Sequence, residues 1–219
     1  MHKHMSGRAS ALWVALIAIA GLAVGAATSI YLKKPDEPPR NTGLVDGFAS
    51  ARILPQARVI TDFALTDMFG APFNRDRLLG RWHIIFFGFT NCPDVCPLTL
   101  ATLAQALEQK PALRKSLGTV FVSVDPQRDA QDALKEYVSY FDPTFLGVTG
   151  EHLQLTALTR QLGTLYVVDP ESAGGNQYTV DHGASLIIMN PAGAMVGDIP
   201  PPHEADALAR DLERIIAMF

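Results

Sequence analysis

The stretch from Phe86 to Leu98 reads FFGFTNCPDVCPL and changes character in its middle. Before it, RWHIIFFGFT (81–90) is an apolar and aromatic run that fits a strand buried on both faces. The run ends at Asn91 or Cys92, and Pro93 suits the first turn of a helix. From Pro93 to Lys110 the apolar residues Leu100, Leu103, Ala104 and Leu107 recur at helical spacing. The segment therefore predicts a strand, a cysteine-bearing turn and a helix in direct succession. On such a helix positions 92 and 96 are i and i+4, so their side chains share a face. The positive end of the helix dipole would stabilise thiolates there.

Outward from this segment the chain alternates strand and helix. FALTD and APFN flank MFG and predict a short hairpin over 63–74. TVFVSVD (119–125) predicts a second buried strand. Leu134, Tyr137, Val138 and Phe141 form a helical stripe within 130–141. Residues 151–162 predict a further helix, stopped by Gly163. LYVVD (165–169), QYTVD (177–181), SLIIMN (185–190) and AMVGDI (194–199) are short strands between turn residues, and 203–218 closes as a helix. Alternating strands and helices imply an α/β fold with a partly parallel sheet and helices on both faces. A strand that runs into a cysteine-bearing turn and then a helix is the thioredoxin arrangement. The expectation is a thioredoxin-like domain over 56–219.

Ahead of the domain, residues 11–32 read ALWVALIAIAGLAVGAATSIYL, without a charge. As a helix this stretch would rise ~33 Å, enough to cross a hydrocarbon core of roughly 30 Å. A short head, 1–10, carries Lys3 and Arg8. Gly25, Ala26 and Ala27 could supply a signal-peptidase site, but the length of the apolar run favours an uncleaved anchor. The flanking charge bias is weak, and the orientation favoured is N-terminus inside. Residues 33–55, rich in Pro, Gly and charge, read as a tether. The expected setting is a single-pass inner-membrane protein with its C-terminal domain in the periplasm. A net charge of −4 argues against a nucleic-acid partner.

The chain has 2 cysteines, Cys92 and Cys96. Two close thiols on the far side of a membrane can be a structural disulfide, a redox couple or metal ligands. Soft thiolates select Cu(I), zinc or iron–sulfur clusters over hard ions, and a histidine from elsewhere would complete a trigonal copper site. His2 and His4 precede the apolar run. His83 lies within a buried strand and reads as a core histidine. His152 opens a helix and His203 follows three prolines, both surface positions by pattern. His182 stands in a turn before the apolar strand SLIIMN, and in thioredoxin-like folds that loop faces the cysteine motif. Spacing alone leaves the disulfide, redox and metal readings open.

FGFTNCPDVCPLTL (87–100), FVSVDPQRD (121–129), FLGVTG (145–150) and YTVDHGASLIIMNPAG (178–193) together closely resemble the Sco/SenC family of copper chaperones, which assemble the binuclear copper centre of cytochrome c oxidase. The resemblance implies a thioredoxin-like fold and an N-terminal membrane anchor. It implies that Cys92, Cys96 and His182 are the ligands of one copper ion, Cu(I) or Cu(II). The implied partners are the copper-bearing oxidase subunit and, on the donor side, another copper chaperone or a thiol reductase. The implied role is not enzymatic. The competing role is thiol–disulfide reduction by the same cysteines, against which stand the three residues between them and the lack of a proline before SLIIMN. Asn91 stands where many members have His, and Gly183 where many have Ser. For Asp125, Arg128 and Asp129 the favoured reading is helix capping by Asp129 and a local ion pair, over a role near the metal. Asp94 reads as a first-turn carboxylate rather than an auxiliary ligand.

Overall fold

The computed structural model describes residues 47–168, 178 and 180–219. The expected head, anchor and most of the tether lie outside these residues. Where tether was expected up to residue 55, strand β1 (Arg52–Val59) is already formed, with Ile53 fully buried. Proline and charge had masked a strand whose outer face is solvated. The elements then run β2 (Leu65–Asp67), β3 (Pro72–Phe73), a 3-10 turn (Arg75–Leu78), β4 (Trp82–Gly88) and α1 (Val95–Gln109). There follow α2 (Pro111–Ser116), β5 (Leu117–Ser123), α3 (Gln131–Phe141), β6 (Leu146–Thr149) and α4 (His152–Gln161). The chain ends with β7 (Tyr166–Val168), β8 (Val180–His182), β9 (Leu186–Met189), β10 (Ala194–Ile199) and α5 (Ala205–Met218). Among the described residues no helix is long and apolar enough to cross a membrane.

Eight strands form one sheet in the order β1-β10-β9-β4-β5-β6-β2-β3. β4, β5 and β6 are parallel, and their neighbours are antiparallel. Parallel neighbours need a crossover, which α1 and α3 supply in the connections after β4 and β5. The fold is α/β and thioredoxin-like, as the strand–cysteine turn–helix pattern implied. β4 lies in the middle of the sheet and every residue of it is buried, which accounts for the unbroken apolar run that encodes it. Phe86, Phe87, Leu100, Leu103 and Phe121 are each at most 1 % exposed and centre the core on the junction of β4, β5 and α1. The predicted hairpin over 63–74 is present as β2 and β3. Residues 169–177 and 179, part of the predicted strand QYTVD, lie outside the described residues.

Among the described residues β7 pairs only with β8, making a two-stranded ribbon separate from the main sheet. A ribbon of two strands is marginal by itself and needs side anchors. This matters because His182 is its last residue.

The segment that leads into β1 is tied to α5 by one carboxylate. Asp211, 4 % exposed, accepts hydrogen bonds from the backbone N–H groups of Ala49, Ser50 and Ala51 at 2.9, 2.7 and 2.9 Å, and from the Ser50 hydroxyl at 2.8 Å. Burial works against ionisation, but these four donors prevail and hold its pKa below the usual carboxylate value. A depressed folded-state pKa means the stabilisation is present above the unfolded carboxylate pKa and is lost as pH falls through the folded one. Asp211→Asn, which puts an NH₂ group against these donors, is expected to cost about 1–2 kcal/mol at neutral pH. It is also expected to flatten the fall of stability on acidification. Thermal unfolding of both proteins across the acid range checks this; parallel pH profiles would show that the carboxylate charge plays no part.

Candidate metal centre

β4 delivers the chain to the site and α1 carries it away. The helix was expected from Pro93, but it begins at Val95, two residues later. Cys92 therefore sits in the turn before the helix, its N–H donating to the Phe89 carbonyl at 3.2 Å, and Cys96 sits in the first helical turn. The two cysteines do not share a helix face. A reverse turn brings them together instead. Both are free thiols, Cys92 9 % exposed and Cys96 fully buried.

Space for the inner sulfur is made by Gly88. A Cβ at this position would lie 2.7 Å from Cys96 Sγ and 2.7 Å from Cε2 of Phe121. An isolated glycine inside an apolar strand signals such a close approach. That signal was legible in FFGF.

The expectation that the helix dipole stabilises both thiolates fails for Cys96. Its pKa is raised well above the ordinary thiol range, chiefly by burial, with a smaller opposing contribution from the Phe89 backbone. Desolvation outweighs the dipole because Cys96 lies under the helix end, against β4, and not at its open tip.

His182 completes the cluster. One ligand atom each from Cys92, Cys96 and His182 lie within 4.8 Å of one another. His182 Nδ1 is 3.2 Å from the Gly183 carbonyl, which can only accept, so Nδ1 carries the proton and Nε2 presents a lone pair. Nε2 lies 3.3 Å from Cys96 Sγ, and the protonated thiol donates to it. Burial lowers the His182 pKa, opposed by the Gly183 bond and by Asp181. The ring is held edge-on by Phe86 and Phe89, with centroids 6.1 and 5.9 Å away. Two sulfurs and one neutral imidazole nitrogen form a soft donor set suited to Cu(I) or Cu(II).

The DPQRD segment proves to belong to this site. Asp129 does not cap a helix: α3 has Ala130 as its N-cap and no side-chain cap. Its buried carboxylate instead accepts from Thr90 N–H at 2.9 Å, Thr90 Oγ1 at 2.6 Å and Ser123 Oγ at 2.5 Å, fixing the turn two residues before Cys92. The Asp125–Arg128 ion pair is present. The Arg128 guanidinium also stacks on Tyr178, 3.6 Å from the ring centroid, and lies 5.6 Å from that of Phe89. Its Nη1 donates to the Tyr178 carbonyl at 2.9 Å, while the Tyr178 hydroxyl donates to Asp125. Arg128 thus clasps the chain just before the His182 ribbon to Phe89 in the cysteine turn. Tyr178 carried no sequence signal of its own, because its partners are some fifty positions away.

The other candidates separate cleanly. His83 is a core histidine, its Nδ1–H donating to the Arg81 carbonyl at 3.1 Å and its pKa lowered to about 4 by burial. His152 is exposed and pairs with the Tyr166 hydroxyl at 3.0 Å. Asp94 is exposed at the N-cap of α1 and outside the ligand cluster. His203 is not the surface residue expected: it is half-buried, 3.0 Å from the Ala184 carbonyl. A Cβ at Gly183 would stand 2.3 Å from Thr164 Oγ1, so in this chain Thr164 fills the space that a serine at 183 would need.

Comparison with known proteins agrees with this construction. Residues 51–217 match the family profile described as SCO1/SenC. A Stutzerimonas stutzeri protein provisionally named as copper-binding is 40 % identical over 169 residues, covering 77 % of this chain and 82 % of its own. Protein SCO1, mitochondrial, of Saccharomyces cerevisiae is 36 % identical over 154 residues, covering 69 % of this chain and 48 % of its own length. The crystal structure of yeast Sco1 with copper bound superposes with a TM-score of 0.68 at 31 % identity, covering 74 % of this chain and 90 % of that one.

Proposed function

The chain belongs to the SCO1/SenC family, and from that premise we propose that it is a copper chaperone that binds one copper ion through Cys92, Cys96 and His182 and delivers it to the binuclear copper centre of cytochrome c oxidase. The observation that carries the reading is the convergence of three soft donors, contributed by a turn, a helix and a ribbon, at one end of β4. Similarity to a protein named for copper binding and to a copper-bound structure supports the choice of metal.

The residues divide the work. Cys92, in the turn and 9 % exposed where Cys96 is fully buried, is the sulfur nearer to solvent and the ligand that an incoming group would displace first. Cys96 is enclosed by Gly88, Phe121 and α1 and is the ligand released last. His182 enters on a separate ribbon, so its nitrogen can leave or arrive without disturbing the sheet. A three-ligand site whose outer sulfur is flanked by the exposed Asn91, Pro93 and Asp94 suits transfer by stepwise ligand exchange. Asp129 and Arg128 hold the two halves in register. The proposed setting is the periplasmic face of the inner membrane, with residues 11–32 as the anchor.

Copper titration of the full chain tests the reading. The wild-type protein is expected to take up about one copper ion per chain and, as Cu(II), to show sulfur-to-metal charge-transfer absorption. Cys92→Ser and Cys96→Ser should each lose that absorption and weaken binding by at least about a hundredfold, since a soft ligand is exchanged for a hard one. Unaltered binding in either variant would sink the two-sulfur site. Rapid insulin reduction by the metal-free protein, with no copper uptake, would point to thiol–disulfide exchange as the main activity.

A further inference from the structure

We propose that His203 is a positioning residue for the copper-facing imidazole of His182, acting through the carbonyl of Ala184. The inference rests on the copper-site reading above. Ala184 lies in the three-residue link Gly183–Ser185 that joins the His182 ribbon to β9 of the main sheet. Among the described residues the ribbon makes no strand pairing with that sheet, so the placement of His182 depends on how the link and its neighbours are fastened. On the upstream side the fastening is the Arg128 clasp on Tyr178. In the link, Gly183 N–H donates to the Leu165 carbonyl at 3.2 Å, and the Gly183 carbonyl accepts from His182 Nδ1–H at 3.2 Å. That bond ties the link's backbone directly to the ring that presents Nε2. His203 makes the next attachment, at the adjacent carbonyl, with Nε2 3.0 Å from Ala184 O.

Two observations distinguish this from incidental packing. A carbonyl only accepts, so His203 must carry its proton on Nε2, which leaves Nδ1 as a bare lone pair. Nδ1 is buried, with no hydrogen-bond partner among the described residues. Such an orphaned acceptor is unfavourable, and an apolar residue of the same size would avoid it. What the imidazole supplies in return is the bond to Ala184. Burial also lowers the pKa of His203, which keeps the ring neutral and the tautomer single near neutral pH. The ring has a firm base. It precedes the first turn of α5, where Leu208 N–H donates to the Glu204 carbonyl at 2.9 Å, and Leu208, Ala209, Leu212 and Ile215 are at most 1 % exposed. His203 thus transmits the fixed position of α5 to the backbone two residues from His182.

The test is a double-mutant cycle on the full chain with Cu(II) and a competing chelator. His203→Ala is expected to weaken copper binding about 3- to 10-fold and to shift the charge-transfer band. His203→Gln, whose side-chain N–H can reach the same carbonyl, should recover most of both. In a His182→Ala background, His203→Ala should change nothing further. Equal losses in both backgrounds, or a Gln variant no better than Ala, would overturn the proposal. A metal-free readout separates its failure from that of the copper reading. Nitrogen-15 NMR of the wild-type histidines should find His203 protonated on Nε2, and His203→Ala should move the His182 ring signals. Protonation on Nδ1, or unmoved His182 signals, would reject the positioning role even if the protein bound copper as expected. Should His203→Ala not fold, the tautomer and the Gln variant still decide.

Discussion

Replacing His182 by alanine is expected to abolish the sulfur-to-copper(II) charge-transfer spectrum of the wild type and to weaken copper binding by about a thousandfold or more. The reason is arithmetic as much as chemistry. Three donors share the binding free energy, and with the ~10–16 kcal/mol typical of structural zinc sites as a guide, one donor's share is ~3–5 kcal/mol. Each 1.4 kcal/mol is about tenfold in affinity. No other side chain stands ready to substitute, because among the described residues the only cluster of metal-ligating groups is Cys92, Cys96 and His182. The fold should survive. His182 ends a ribbon outside the main sheet, and the variant loses the edge contacts with Phe86 and Phe89 together with the ring's hydrogen bonds to the Cys96 thiol and the Gly183 carbonyl. A decrease of a few degrees in the metal-free melting temperature is the expected cost. Added imidazole should enter the vacated space and restore part of the absorption. If His182→Ala retained the wild-type affinity and spectrum, the nitrogen ligand would have to be another group, and the trigonal site would be wrong.

How far the sequence reveals this site depends on the distance between partners along the chain. FFGFTNCPDVC is readable because strand, turn and helix are consecutive, and their periodicities change at Asn91. The dense burial of β4 and β5 shows as runs made mostly of apolar residues. What the pattern hides is whatever is decided by burial and by contacts made far along the chain. The helix dipole argument for Cys96 is sound for an exposed helix tip, yet tertiary packing puts this sulfur beneath β4, where desolvation governs. Asp129 before a helix looks like a cap. Its carboxylate is turned inward to Thr90 and Ser123, partners that exist only once β4 and β5 are adjacent. His203 after three prolines looks like surface, and only the return of the chain through β10 toward α5 brings its ring to the Ala184 carbonyl. The motif blocks of the family register such couplings without explaining them. The structure supplies the explanation for three of the four: the blocks at 87–100, 121–129 and 178–193 meet around the same small volume, while FLGVTG (145–150) forms β6 beside β5.

That small volume leads to the second expectation, at Gly88. Gly88→Val is expected to destabilise the metal-free protein by about 3 kcal/mol, lowering its melting temperature by about 6–12 °C, and independently to weaken copper binding. The first added carbon would already meet Cys96 Sγ and Cε2 of Phe121, each at 2.7 Å, closer than any relaxed contact. Neither neighbour has room to retreat. Cys96 and Phe121 are both fully buried, and the Phe121 ring is packed between Phe86 and Tyr137, with centroids 6.0 and 5.6 Å away. The strand cannot shift readily either, since Gly88 is paired with Ser123 and its carbonyl accepts from Val124 N–H at 2.9 Å. The strain can therefore go toward the ring, the sulfur or both, and two measurements tell them apart. Pairing Gly88→Ala with Phe121→Leu removes the ring atoms in the way and should recover stability relative to Gly88→Ala alone. It leaves the methyl against Cys96 Sγ, so the copper affinity should stay depressed. Joint recovery of stability and affinity would mean that the ring alone set the constraint. A Gly88→Val protein with wild-type melting temperature and copper affinity would show that the inner sulfur is not placed by the strand it packs against, and the division of roles between a fully enclosed Cys96 and a Cys92 nearer to solvent would fall with it.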